Sequence, residues 1–117
     1  MKPIFVCMML LATPAIADAP VIEQVTARQT GASWNFSVTL SHPDTGWDHY
    51  ADGWEVLAPD GTRLGYRELL HPHVNEQPFT RSLSGVSLPD GLKTVLIRAR
   101  DTKDGWAADP YEYTLPE

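Results

Sequence analysis

The most regular pattern in the sequence is an alternation of apolar and polar residues over positions 34–40. Trp34, Phe36, Val38 and Leu40 are apolar, and the residues between them are Asn, Ser and Thr. Because successive side chains of a β-strand point to opposite faces, a period of two predicts a strand with one buried face. No segment shows the 3.6-residue period of an amphipathic helix. The chain must therefore bury its apolar side chains between sheets.

Similar short apolar runs recur along the chain and are separated by turn residues. Pro59-Asp60-Gly61 and Pro89-Asp90-Gly91 are strong turn signals. The predicted strands begin near Val21, Trp34, Trp54, Leu64, Phe79, Thr94 and Tyr111. Seven short strands in about 100 residues are typical of an all-β fold. The sequence predicts a seven-stranded antiparallel β-sandwich.

Two parts of this pattern resemble known modules. The strands containing Trp34 and Trp54, and the run Ile97–Asp101 followed by Gly105-Trp106, resemble fibronectin type III and immunoglobulin-like domains. This resemblance covers most of residues 21–115 and implies a sandwich whose loops gather at its two ends. The stretches 46–50 and 70–81 are also similar to those of short exported bacterial proteins.

The N-terminal segment has the features of a secretory signal. Met1-Lys2 gives a positive start, Ile4–Leu11 is apolar, and Ala15-Ile16-Ala17 is typical of a cleavage site. The apolar run is too short to span a bilayer; the alternative is a buried first strand. Cys7 does not stand at the end of the apolar run, so we expect no lipid anchor. We predict a cleaved signal peptide at 1–17, one domain at 18–117, and a periplasmic or secreted protein.

Residues 18–117 have an unusual composition for an exported domain. They contain no cysteine and no methionine, so the domain must be held together by its core without disulfides. They carry 8 basic and 15 acidic residues, a net charge of −7. This balance argues against nucleic acid or an anionic membrane as a partner. Without thiolate or thioether ligands, a soft Cu(I) site and a blue-copper centre are excluded.

The stretch Leu70–Arg81 is the strongest candidate for a functional loop. It contains His71, His73 and Glu76 together with Pro72 and Pro78. Each proline fixes φ and removes a backbone donor, so neither a helix nor a central strand accommodates this stretch. It is predicted to be a stiff, irregular loop, and ordered loops of this kind often carry function.

Strand alternation places the histidine-bearing loops together. If consecutive strands run up and down, loops 41–52, 70–78 and 101–109 lie at one end of the sandwich. They hold all four histidines of the chain: His42, His49, His71 and His73. They also hold seven acidic residues: Asp44, Asp48, Asp52, Glu76, Asp101, Asp104 and Asp109. We therefore predict a binding surface at this end.

Imidazole and carboxylate groups in one patch favour a divalent transition metal, Cu(II) or Zn(II). His71 and His73 are two residues apart, which in an extended backbone puts them on one face. His49 is predicted as a third ligand, Glu76 or an aspartate as a fourth or as a group orienting an imidazole, and His42 as a further candidate. Alternatively, these histidines hydrogen-bond loop backbone groups, and Glu76 is simply solvated.

Loop aromatic residues support a second hypothesis. Trp47, Tyr50 and Trp106 could form the contact surface of a protein- or glycan-interaction module, or the tryptophans could cover the core. Catalysis is not expected, because no serine or cysteine nucleophile motif is present and a small sandwich offers little concave volume. Apart from a metal ion, no cofactor is predicted. The possible partners are the metal and another periplasmic protein.

Overall fold

The computed structural model describes residues 19–117, and the predicted signal peptide lies outside them. Within this range the chain forms β-strands and no helix, and hence no helix able to cross a membrane. The strands are β1 (Val21–Thr30), β2 (Ser33–Ser41), β3 (Ala51–Leu57), β4 (Arg63–Glu68), β5 (Phe79–Val86), β6 (Thr94–Asp101), β7 (Gly105–Trp106) and β8 (Tyr111–Thr114). They form two antiparallel sheets, which confirms the predicted all-β class.

The first sheet has the order β1-β2-β5, with the alternating segment in its centre. Phe36, Val38 and Leu40 are fully buried, as the period of two predicts. The polar residues between them face outward and pair across strands, for example Ser37 Oγ with Ser82 Oγ at 2.9 Å. The sequence pattern therefore fixes which face of this sheet meets the core.

The second sheet has the order β4-β3-β6, and β6 pairs along its other edge with both β7 and β8. β7 pairs with the end of β6 at Asp101, and β8 pairs with its beginning at Thr94. The prediction of seven strands was wrong by one, because β7 is only two residues long. Residues 107–110 separate β7 from β8, and they include Pro110, which has no N–H to donate to a neighbouring strand.

The core lies between the two sheets. Trp54 from β3 and Ile97 from β6 are fully buried against the Phe36 side of the first sheet. At one edge β4 approaches β5 closely at Gly65, where an added Cβ would lie 2.9 Å from Leu83 Cδ2. Glycine thus permits the two sheets to meet along that edge.

The two ends of the sandwich differ as the sequence predicts. One end has tight turns, including Pro89-Asp90-Gly91, where Leu92 N–H donates to Pro89 O at 3.2 Å. At the other end the three longer loops contact one another. Thr102 N–H donates to Tyr50 O at 3.0 Å, and His42 N–H donates to Gln77 Oε1 at 3.0 Å. Loops 41–52, 70–78 and 101–109 therefore form one surface.

We expect Phe36→Ala to lower the free energy of unfolding by about 3–5 kcal/mol, because it removes a fully buried ring from between the sheets. Trp47→Ala is the matched control, since 70% of the Trp47 surface is exposed. Urea denaturation of both variants measures the difference. Equal losses of stability would contradict the assignment of Phe36 to the core.

Candidate metal centre

A tight turn in the first loop brings two histidines together. Thr45 N–H donates to His49 O at 3.0 Å, and His49 N–H donates to Gly46 O at 3.2 Å. The turn folds the chain back after β2, so that His49 returns towards His42. Their ring centroids lie 4.8 Å apart in an edge-to-face arrangement. The sequence did not predict this pairing of residues seven positions apart.

The buried carboxylate of Asp44 fixes the orientation of His42. Asp44 Oδ1 lies 2.5 Å from His42 Nδ1 and also accepts the Ala51 N–H at 3.0 Å. Asp44 Oδ2 accepts the His73 N–H at 2.8 Å. Because a carboxylate accepts, the proton of this imidazole resides on Nδ1. In the neutral imidazole this leaves the lone pair on Nε2, on the other side of the ring from the nitrogen that contacts Asp44.

Asp101 supplies a second buried carboxylate at the end of β6. Its Oδ1 accepts backbone N–H groups from Lys103 at 2.9 Å and Asp104 at 2.7 Å. The residue is fully buried, and Oδ2 has no hydrogen-bond partner among the residues that the structure describes. These two backbone bonds hold the carboxylate in place and leave one oxygen available.

His42, His49 and Asp101 form one compact cluster of donor atoms. One nitrogen or oxygen from each lies within 4.8 Å of the others. His49 Nε2 is 3.4 Å from Asp101 Oδ1, without the alignment of a hydrogen bond. Within residues 19–117, neither Nε2 atom has a hydrogen-bond partner. The cluster therefore combines close spacing with one buried, unpartnered polar atom on each of its three residues.

The cluster opens towards solvent on the side of Asp104. Asp104 Oδ2 lies 3.9 Å from His49 Nε2, and its side chain is about one third exposed. The side chain of His49 is partly exposed, whereas those of His42 and Asp101 are not. A cation could thus reach the buried groups past Asp104 and His49.

The structure places the other predicted ligands in a separate group around Arg81. Arg81 Nη2 lies 2.7 Å from His73 Nε2 and 3.2 Å from Glu76 Oε1. The rings of His71 and His73 are 4.6 Å apart, and His71 is exposed. His73 contacts the cluster only indirectly, through the bond from its backbone to Asp44. Of the predicted metal ligands, the structure thus brings together His42 and His49 and sets His71, His73 and Glu76 apart.

His73 is held as a neutral imidazole. An arginine can only donate, so His73 Nε2 accepts its hydrogen bond and Nδ1 carries the proton. The ring stacks on Phe79 at 3.9 Å between centroids. Burial lowers the pKa of His73 below its ordinary value of 6.5, and the charges of Arg81 and His71 lower it further. A guanidinium beside Nε2 also disfavours a metal ion at this nitrogen.

The predicted contact aromatics occupy two separate places. Trp47 is largely exposed at the apex of the first loop, and its ring meets that of Tyr50 at 5.6 Å. Trp106 lies on the outer face of the second sheet, where the guanidiniums of Arg63, Arg98 and Arg100 stand 5.0–5.6 Å from its ring. Of the three predicted contact residues, Trp47 and Tyr50 contact each other, whereas Trp106 meets the ring of Tyr66.

Sequence reasoning did not assign roles to Asp44 and Asp101. Both are acids of the loop end, and nothing in the local spacing of Asp44 distinguishes it from its exposed neighbours. For Asp101 a signal existed: Val95, Ile97 and Ala99 alternate inward, and the same parity places Asp101 on the buried face. A carboxylate is unusual at a strand position whose side chain faces the core.

Part of the chain is similar to a known protein. The chain is 42% identical over 91 residues to a protein of Halomicrobium mukohataei named "Putative lipoprotein". The match covers 78% of this chain and 44% of that protein, so the chain spans less than half of the relative's length. No protein-family model matches the sequence, and no solved structure matches it significantly.

The lowered pKa of His73 predicts a pH-dependent stability. In the unfolded chain His73 binds a proton near pH 6.5, whereas in the folded protein it does so only at a lower pH. Its contribution to stability is therefore present above pH 6.5 and is lost as the pH falls through the folded pKa. His73→Gln cannot titrate. We therefore expect its melting temperature to fall less steeply than that of the wild type between about pH 7.5 and 5. Parallel slopes would show that His73 does not resist protonation.

Proposed function

We propose that this protein is an exported β-sandwich that binds a divalent transition metal, Cu(II) or Zn(II), through His42, His49 and Asp101. One observation carries the proposal: one ligand atom of each of these residues lies within 4.8 Å of the others, and each residue has a buried polar atom without a hydrogen-bond partner in the described part of the chain. Leaving such atoms unsatisfied costs free energy, and a bound cation would satisfy all three.

The donor set suits these metals. Two neutral imidazoles and a carboxylate are common ligands of Zn(II) and Cu(II), and three protein ligands leave a position for water or an incoming group. Asp44 fixes the tautomer of His42, as carboxylates commonly do for ligating histidines. Asp104 lies close enough to His49 to provide a fourth, more exposed oxygen.

The charge around the cluster also supports a cation. Another buried carboxylate, Glu55, is neutralised by ion pairs with Arg63 and Arg98. Asp44 and Asp101 form no ion pair with lysine or arginine within residues 19–117. The same fold therefore neutralises one buried acid with guanidiniums and leaves two others beside imidazoles. A divalent cation would provide the missing positive charge.

The proposal of export rests on the predicted signal at 1–17 and on the name of the Halomicrobium relative. That name suggests membrane association for the relative, whereas the position of Cys7 favours a periplasmic or secreted form of this chain. We further propose a fibronectin type III-like or immunoglobulin-like fold. Strands β1, β2 and β5 face β3, β6 and β8, as strands A, B and E face C, F and G in such sandwiches, while β4 pairs with β3.

A second candidate function is supported by the exposure of Trp47. An indole that is 70% exposed and pairs with Tyr50 is typical of contact residues in protein- or glycan-binding modules. The turn that presents Trp47 also positions His49, so the two functions are compatible. In neither role does the site require catalysis.

Metal titration tests the proposal directly. We expect the wild-type protein, stripped of metal, to bind one equivalent of Zn(II) or Cu(II) with an increase in melting temperature, because the ion binds only the folded site. His49→Ala should abolish this uptake, since it removes one of the three donors. Calorimetry and thermal denaturation measure both effects.

His71→Ala is the matched control, because His71 is exposed and stands outside the cluster. It should bind metal like the wild type. Equal losses in the two variants, or no uptake by the wild type at micromolar metal, would overturn this site. The second outcome would leave the Trp47 surface as the remaining candidate.

Replacing Asp44 tests how the cluster is held. Asp44→Asn keeps the side-chain shape but removes the charge that holds His42 Nδ1 and two backbone donors. We expect metal affinity to fall about 10–100-fold and stability to fall by about 1–3 kcal/mol. Asp48→Asn, in the exposed part of the same loop, is the control. Unchanged affinity in Asp44→Asn would show that Asp44 does not orient the ligand.

A further inference from the structure

A groove lies along the edge of the sandwich between the start of β1 and the β7–β8 segment. It has a volume of about 550 Å³. Ala19–Ile22 form one wall, and residues 104–111 form the other. Ala99 and Asp101 of β6 also line it. The volume falls within the range of small-molecule sites in proteins.

The groove has largely apolar walls, and the charged residues that line it are all acidic. Pro20, Ile22 and Trp106 contribute apolar or aromatic surface. Asp101, Asp104 and Asp109 also line the groove, and no basic residue does so within the described range. The guanidiniums near Trp106 do not cancel these acids, because they pair with Glu55 and Asp52.

One of these three acids has a buried carboxylate oxygen without a hydrogen-bond partner among residues 19–117. Asp101 is fully buried, and its Oδ2 has no hydrogen-bond partner in the part of the chain that the structure describes. Asp104 and Asp109 are exposed and solvated, so by themselves they would indicate no ligand. The buried acid, the apolar walls and the absence of basic residues all favour a cation that carries an apolar body.

We propose that this groove binds a small organic cation, a primary amine with an apolar or aromatic body. The body would lie against Pro20, Ile22 and Pro110, and the ammonium group would be directed towards Asp101 and Asp104. The buried Asp101 carboxylate and the more exposed Asp104 carboxylate provide the charge preference, because each can form a charge-assisted hydrogen bond with an ammonium group. The size of the groove matches a small molecule better than the larger contact area of a protein partner.

This site is separate from the proposed metal centre, although both use Asp101. His42 and His49 do not line the groove, and Asp109 lies outside the metal cluster. Variants can therefore remove one binding activity and leave the other. A bound metal ion would weaken amine binding, because it places positive charge on the shared carboxylate.

The test uses metal-stripped protein and three aromatic probes of similar size: phenethylamine, 2-phenylethanol and 3-phenylpropionate. Amide chemical shifts of residues 105–109 and tryptophan fluorescence report binding. We expect saturable binding of phenethylamine, at least about tenfold tighter than that of the neutral or anionic probe. Equal binding of the three probes would overturn the proposal, and so would binding of a lysine-containing peptide without binding of phenethylamine.

Charge reversal provides the matched variants. Asp109→Lys should weaken phenethylamine binding at least about tenfold. Asp90→Lys, an equally exposed change at the opposite end of the sandwich, should not alter it. Equal effects of the two variants would overturn the groove as the site. His49→Ala should still bind phenethylamine, and Asp109→Lys should still bind metal, so failure of one proposal is distinguishable from failure of the other.

Discussion

The carboxylate of Asp44 is the interaction on which the loop end of this protein depends. A buried carboxylate must be compensated, and Asp44 is compensated by the His42 imidazole and by the backbone N–H groups of Ala51 and His73. These three partners belong to the first loop, the start of β3 and the second loop. One side chain therefore orients His42 and ties two loops together, while the turn bonds of His49 and the backbone bonds to Asp101 position the other two residues of the cluster.

The strands could be predicted from the sequence because their signal is local. The alternation of apolar and polar residues at 34–40 and 95–99 predicts which side chains face the core. The two Pro-Asp-Gly turns predict where the chain reverses direction. These features depend on neighbouring residues only. β7 was missed because two residues cannot show a period, and its pairing with Arg100 and Asp101 is visible only in three dimensions.

The sequence predicts the end of the sandwich at which the histidine loops meet, but it does not predict which histidines form the candidate cluster. Strand alternation alone brings the three loops to one end. Which histidines meet there depends on contacts that spacing does not reveal. His71 and His73 are the closest pair in sequence, yet Arg81 from β5 and the ring of Phe79 occupy the surroundings of His73. His42 and His49 are farther apart in sequence, and the turn between them brings their rings into contact.

Asp101 connects the two proposals physically. Side chains alternate between the two faces of β6, so Asp101 lies on the same buried face as Ala99. The turn that follows β6 holds Asp101 Oδ1 through two backbone hydrogen bonds. Two backbone dipoles reduce but do not neutralise a buried charge, and Oδ2 is left to interact with a cation. On the loop side that cation would be a metal held with His42 and His49. On the groove side it would be an organic ammonium. Because one carboxylate serves both sides, occupation of either site lowers the negative potential at the other, and the two ligands must oppose each other's binding by the same factor.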